Sequence, residues 1–206
     1  KTGNVYTATV KNATEKDYVK FVPNKTGKYV LKMTITSSYG TYTNSVYDAY
    51  NSKFKMLEGI STGGYGAYKL EKGKTYYFKA SGAAFKGMKR VNGKYYWFHT
   101  SSGYMFKNRK VIRSTGDIYY FGSNGVRYEN GMKKITENGT VHTYYFHKDG
   151  KVHKGWLTYK GKKYYFYKGK TEKSGRRAEN VRLTDSNGII SVFDKSGVCI
   201  NQYKNE

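Results

Sequence analysis

A chain of 206 residues with a formal charge of +24 has room for two ordinary domains. Its self-repulsion points to an anionic polymer as partner: nucleic acid, an acidic glycan or a phosphate-rich wall polymer. No run of about 18 apolar residues occurs, so no membrane-spanning helix is expected, and the segment from Lys1 lacks the apolar stretch of a signal peptide. The single Cys199 excludes an intramolecular disulfide. With 24 tyrosines, 24 glycines and one proline, composition favours pleated, half-buried strands, and the whole chain is predicted to be all-β.

In residues 1–82 several segments alternate with period two, the pattern of strands with one buried face. They are residues 17–22, 29–35, 45–50 and 74–79. In the second, Tyr29, Leu31, Met33 and Ile35 form the predicted inward set. Turns at Asn24-Lys25-Thr26-Gly27 and Glu71-Lys72-Gly73 separate strands in the manner of a β-sandwich. The carriers Tyr18-Val19-Lys20-Phe21, Thr26-Gly27-Lys28-Tyr29, Val46-Tyr47-Asp48 and Leu70-Glu71-Lys72-Gly73-Lys74-Thr75-Tyr76-Tyr77 resemble the bacterial pre-peptidase C-terminal domain family. That resemblance implies a jelly-roll-like sandwich attached to secreted enzymes and surface proteins. Some members bind calcium, but Glu15, Asp17, Asp48, Glu58 and Glu71 are too dispersed here for an oxygen cage.

A boundary is predicted at residues 83–86. Residues 1–86 hold 14 Lys and 5 acids, whereas residues 87–206 hold 24 Lys plus Arg and 9 acids, with all seven arginines. Beyond it an aromatic cluster recurs: Tyr95-Tyr96-Trp97-Phe98, Tyr119-Tyr120-Phe121, Tyr144-Tyr145-Phe146 and Tyr164-Tyr165-Phe166. Steps of 23, 25 and 20 residues between the phenylalanines mark a repeat architecture. Asn92-Gly93, Asn138-Gly139 and Lys160-Gly161 supply turns before the aromatic strand. Asn124-Gly125, Asp149-Gly150 and Ser196-Gly197 supply turns after it. Each unit is therefore a β-hairpin, too small to bury its own rings, and a solenoid of stacked hairpins over residues 87–206 follows. A degenerate fifth unit is expected around residues 189–197.

The unit Gly155-Trp156-Leu157-Thr158-Tyr159-Lys160-Gly161-Lys162-Lys163-Tyr164-Tyr165-Phe166 resembles the cell-wall-binding repeat family, which includes choline-binding modules and the glucan-binding repeats of glucosyltransferases. The resemblance implies a secreted or surface-associated bacterial protein that binds rather than catalyses, with rings enclosing a quaternary ammonium or stacking on sugars. Its partners would be a cell-wall polymer or glycan: teichoic acid, peptidoglycan or glucan. Choline cages look incomplete, because Met88 and Met132 stand where Trp156 does, and Lys163, Thr143 and Ile118 stand where members often have Trp.

Alternation puts the first Tyr and the Phe of each triplet on one face and the middle Tyr on the other. Tyr96, Tyr120, Tyr145 and Tyr165 are thus expected on the face that meets a ligand or a neighbouring hairpin. Together with Trp97 and Trp156 they are the candidate ligand contacts. His99, His142, His147 and His153 lack a cysteine or carboxylate at ligand spacing, so no metal site or cofactor is expected. Asp117, Glu137 and Asp149 show no spacing that singles out a catalytic pair, and no enzyme is predicted. Two other readings stand beside wall binding: single-stranded nucleic acid stacked on rings among Lys and Arg, and an adhesion module whose sandwich edge binds a host or partner protein.

Overall fold

A computed structural model of the chain describes residues 5–11, 18–36, 41–48, 65–79 and 83–204. Every regular element among them is a strand, in keeping with the Tyr- and Thr-rich composition. Contacts separate two compact units, Lys1–Lys107 and Asn108–Glu206.

The first unit begins with β1 (Val5–Lys11), β2 (Tyr18–Phe21), β3 (Gly27–Thr36), β4 (Thr41–Asp48), β5 (Tyr65–Leu70) and β6 (Tyr76–Lys79). One antiparallel sheet has the order β1-β4-β3-β5, and β2 pairs with β6 in another. Both sheets feed one core: Tyr29 and Leu70 from the first, Phe21, Tyr76 and Phe78 from the second. Phe21 meets Tyr29 edge-to-face at 5.5 Å. The two predicted turns close onto each other, for Gly73 N donates to Pro23 O at 2.9 Å and Lys72 N to Thr26 Oγ1 at 3.0 Å. Tyr29, expected inward, is 1% exposed. The side chains of Leu31, Met33 and Ile35, and residues 17, 49 and 50, lie outside the described part.

The same unit continues into a hairpin, β7 (Gly87–Val91) with β8 (Lys94–Phe98). The second unit holds the hairpins β9 (Arg109–Ile112)–β10 (Ile118–Phe121), β11 (Gly131–Glu137)–β12 (Thr140–Phe146) and β13 (Gly155–Tyr159)–β14 (Lys162–Phe166). It ends in a three-stranded sheet of β15 (Val181–Thr184), β16 (Ile189–Phe193) and β17 (Cys199–Lys204). The predicted fifth unit is present as β16 and the turn after it. At Asn92-Gly93, Asn138-Gly139 and Lys160-Gly161 both residues have positive φ, the two-residue turn whose twist matches that of the strands it joins.

Each aromatic strand ends in a phenylalanine that is bridged by the returning chain: Phe98 by Met105, Phe121 by Arg127, Phe146 by Val152 and Phe166 by Arg177. The same bridge joins Phe78 to Ala84, so the triplet Tyr76-Tyr77-Phe78, read from the sequence as a sandwich strand, has the repeat's local geometry. Its phenylalanine precedes Phe98 by 20 residues.

Within each unit the middle ring of one triplet packs on the phenylalanine of the next. In the first unit Tyr77 lies 5.4 Å from Phe98. In the second, Tyr120 lies 5.9 Å from Phe146, Tyr145 6.4 Å from Phe166 and Tyr165 6.4 Å from Phe193. These phenylalanines are at most 2% exposed. An aromatic spine thus supplies the burial that a lone hairpin lacks.

One expected orientation changes, and one expected ligand face is taken by a neighbouring hairpin. Tyr96 packs on the Phe98 side, against the cluster of Tyr77, Phe85 and Phe98, because the first cluster has four rings and period-two counting makes Trp97 its outward member. Tyr120 does point toward the next hairpin, but at 3% exposure it is core, packed with Tyr144 and Phe146.

Glycines also make room for the stacking. A Cβ on Gly175, whose φ is +79°, would lie 2.3 Å from Val152 Cγ1 of the preceding repeat and 3.6 Å from Tyr144 Cδ1. Gly175→Ala therefore adds backbone strain to overpacking. It is expected to cost about 2 kcal/mol, read as a lower urea midpoint at unchanged m.

Candidate functional site

Trp156 on β13 pairs in register with Tyr165 on β14. Their rings meet edge-to-face at 5.2 Å, and the indole stacks on Phe193 of β16 at 5.7 Å and 28°. Tyr167 adds an edge contact to Tyr165 at 6.2 Å. Strand alternation explains the exposure: Tyr164 and Phe166 turn into the core while Trp156, at 40% exposed, keeps part of its ring in water.

Polar groups frame this ring. Lys163 Nζ sits 4.5 Å from the Trp156 ring centroid and donates to Gln202 Oε1 at 2.6 Å. Gln202 Nε2 in turn donates to Ser191 Oγ at 2.9 Å. An aromatic surface flanked by an ammonium and an amide can stack on a sugar ring and hydrogen-bond its hydroxyls. The cation position over the indole is taken by the protein's own lysine, which disfavours a quaternary ammonium there by like-charge repulsion.

At the register position of Trp156 the other hairpins carry Met88, Lys110, Met132 and Arg182, paired with Trp97, Tyr120, Tyr145 and Val192. Trp97 is half-buried. Tyr145, also half-buried, has its ring against Tyr159 at 5.3 Å and His153 at 6.1 Å. Of the six sequence candidates, the fold brings Trp156 and Tyr165 directly together, while Tyr96 and Tyr120 serve the core. Phe193, Lys163 and Gln202 are the companions that sequence reasoning missed. For Phe193 the signal was present, since its turn was recognised as a fifth unit.

Glu137 occupies a different setting. Its carboxylate accepts hydrogen bonds from the hydroxyls of Tyr120 and Tyr144, the latter at 2.5 Å, and pairs with Lys110 at 2.9 Å and Arg176 at 3.0 Å. Burial by itself raises the carboxyl, but the Tyr120, Tyr144 and Lys110 donors outweigh it and hold it at about 2. A carboxylate ionised so firmly cannot act as a general acid at neutral pH; it is a tie between hairpins. His99 is likewise occupied, its Nδ1 facing Ser102 N at 3.1 Å and Ser102 Oγ at 2.9 Å. Among the described residues no group of three His, Cys, Asp or Glu is placed to hold a metal ion, and no helix is long and apolar enough to cross a membrane.

These features define an all-β protein built on aromatic hairpins whose repeats are joined by stacked rings. Two segments, residues 68–84 and 154–169, match the family model of the cell wall binding repeat. The second segment holds Trp156 and Tyr165, and the first holds Tyr76-Tyr77-Phe78.

Glucosyltransferase-S of Streptococcus mutans serotype c is 35% identical over 129 residues, which are 61% of this chain and 8% of that protein. Glucosyltransferase-I of Streptococcus downei is 27% identical over 124 residues, 52% of this chain and 7% of that one. The chain thus spans less than a tenth of the length of these curated relatives. Among solved structures, choline binding protein F of Streptococcus pneumoniae, determined in the presence of a peptidoglycan analogue, aligns over 87% of this chain and 72% of its own. The TM-score is 0.49 at 21% identity. Truncated alternansucrase of Leuconostoc mesenteroides aligns over 60% of this chain and 10% of its own, with a TM-score of 0.49 at 19% identity.

Proposed function

We propose that this chain is a non-catalytic binding region of an extracellular bacterial surface or secreted protein, which attaches through its hairpin repeats to a cell-wall polymer or glycan. The observation that carries this reading is the partly exposed Trp156 against Tyr165 and Phe193, with Lys163 and Gln202 beside it. Lysines and arginines attract an anionic polymer over about 8–10 Å at ordinary salt, and the aromatic face holds sugar rings at short range. Several weak contacts along one polymer combine by multivalency. Trp156 and Tyr165 are the principal ligand contacts; Trp97 and Tyr145 are secondary ones.

The N-terminal part acts as a spacer or docking domain, a jelly-roll-like sandwich of pre-peptidase C-terminal type reaching to about residue 82, with residues 83–86 leading to the repeats. The bridge from Phe78 to Ala84 and the repeat match at residues 68–84 support β6 serving both the sandwich and the first repeat. Nucleic acid is the weaker reading, because Tyr120, one of the candidate stacking rings, is buried in the spine and a stacking platform needs successive free rings.

The test is binding of the intact chain to purified Gram-positive walls, with and without teichoic acid, and to α-glucan. Truncating an aromatic anchor in an interface commonly costs about 2 kcal/mol, so Trp156→Ala is expected to weaken the preferred polymer by about 30-fold while the variant stays folded at the binding temperature, as its far-UV circular dichroism checks. Equal affinity in wild type and variant would refute the aromatic face as the site.

A further inference from the structure

The second unit contains an open cavity of about 470 Å3 formed by the turn before β10, the loop after β12 and the loop after β14, within the size range of small-ligand sites. Its walls carry Lys151, Lys154, Lys170, His147 and His153 against one acid, Asp117, and no Phe, Tyr or Trp. Three lysines less one aspartate leave +2 even with both imidazoles neutral. The chemistry is the opposite of the Trp156 face: cationic donors without an aromatic floor.

Lys151 is paired, and Lys154 and Lys170 keep their charge. Asp117 accepts from Thr115 Oγ1 at 2.9 Å and pairs with Lys151 at 3.3 Å. Lys154 Nζ is anchored by Gly116 O at 2.9 Å, an uncharged acceptor that leaves its charge intact and further N–H groups to donate. Lys170 has no carboxylate at ion-pair distance among the described residues. The histidines are ordered as well. A carbonyl can only accept, so His153 Nε2 donates to Trp156 O at 3.0 Å, and His153 Nδ1 then accepts from His147 Nε2 at 3.1 Å. Both rings are set before any ligand arrives, which lowers the ordering cost of binding.

We propose that this cavity binds a phosphate oxyanion, specifically the phosphodiester of a polyol-phosphate polymer, as a second contact distinct from the aromatic face. The proposal rests on the wall-polymer reading above. Ammonium groups act on phosphate as point charges with rotatable donors, and three of them around one concavity suit a tetrahedral anion.

The test titrates the full chain with glycerol-phosphate oligomer, with inorganic phosphate and with neutral dextran at matched ionic strength. It follows the imidazole resonances of His147 and His153. Saturable shifts of both with the oligomer are expected, with at least 5-fold weaker affinity in Lys170→Glu. Absence of saturation, a response reproduced by sodium chloride, or indifference to Lys170→Glu overturns the site. A response to free phosphate without one to the oligomer overturns the polymer as its source. Displacement by an oligonucleotide at a tenfold lower concentration than the polyol phosphate overturns the assignment in favour of nucleic acid. If oligomer saturates the cavity while walls and glucan go unbound by wild type, the cavity stands and the wall-binding reading falls; glucan bound at the Trp156 face without a histidine response is the reverse.

Discussion

Phe146→Ala is expected to lower the unfolding free energy by about 3–5 kcal/mol, among the largest effects of any single substitution in the repeats. The ring is fully buried and is met edge-to-face by Tyr120 at 5.9 Å and Tyr128 at 5.6 Å, with Tyr144 tilted at 6.5 Å. Tyr120 and Tyr144 belong to two successive hairpins, each pinned by its own ladder, and Tyr128 to the segment between them, where its N–H donates to Tyr120 O at 2.8 Å. The rings cannot move together to fill the space, so most of the cavity term persists. A repeat protein also lacks a single large core over which the loss could be shared, since each unit contacts mainly its neighbours. Urea unfolding followed by far-UV circular dichroism measures this directly. A loss below about 1 kcal/mol would mean that the spine is not the source of stability.

Glu137→Ala should cost about 3 kcal/mol by a different route. Removing the carboxylate leaves the Lys110 and Arg176 charges and two tyrosine hydroxyls without their common acceptor in a partly buried setting. Its pH dependence identifies the mechanism. The folded carboxyl titrates at about 2, whereas in the unfolded chain it titrates near its ordinary value of about 4.3. The unfolded state therefore binds the proton more readily. The stabilisation is complete above the unfolded value and is lost as pH falls from there through about 2. Thermal melts of wild type and Glu137→Gln between pH 2 and 7 should differ most at pH 5–7 and converge toward pH 2. Parallel curves across that range would show that the tie contributes no ionic stabilisation. Tyr144, raised to about 12 chiefly by burial and then by the Glu137 hydrogen bond, remains a protonated donor throughout.

Much of the repeat geometry was legible because its signals are local. Asn-Gly and Lys-Gly pairs specify turns that need positive φ at both positions, and all three predicted ones adopt it. The phenylalanines recur at the end of each aromatic strand, and burial follows from parity. At Tyr96 the position within the cluster misled: the cluster has four rings, and counting back from Phe98 puts Tyr96 on the phenylalanine's face and Trp97 on the other. Parity left Tyr120 open because an outward ring meets solvent, ligand or a neighbouring hairpin according to what stacks there. Tyr76-Tyr77-Phe78 reads as a sandwich strand because the same alternation serves a sheet strand and a repeat strand equally well, and its bridge to Ala84 is a contact that alternation cannot indicate.

From its sequence alone this protein is all-β, strongly cationic and organised in aromatic hairpins, with one unit, around Trp156, that keeps the full Gly-Trp signature. Tertiary structure decided which rings remain accessible and what stands beside them. Gln202, which holds Lys163 next to the Trp156 ring, is 39 residues away in the chain, and so is Arg176 from Glu137. Hydrophobic periodicity and turn chemistry act over a few residues, whereas these contacts depend on how one hairpin settles on the next, through packing of surfaces that no local pattern encodes.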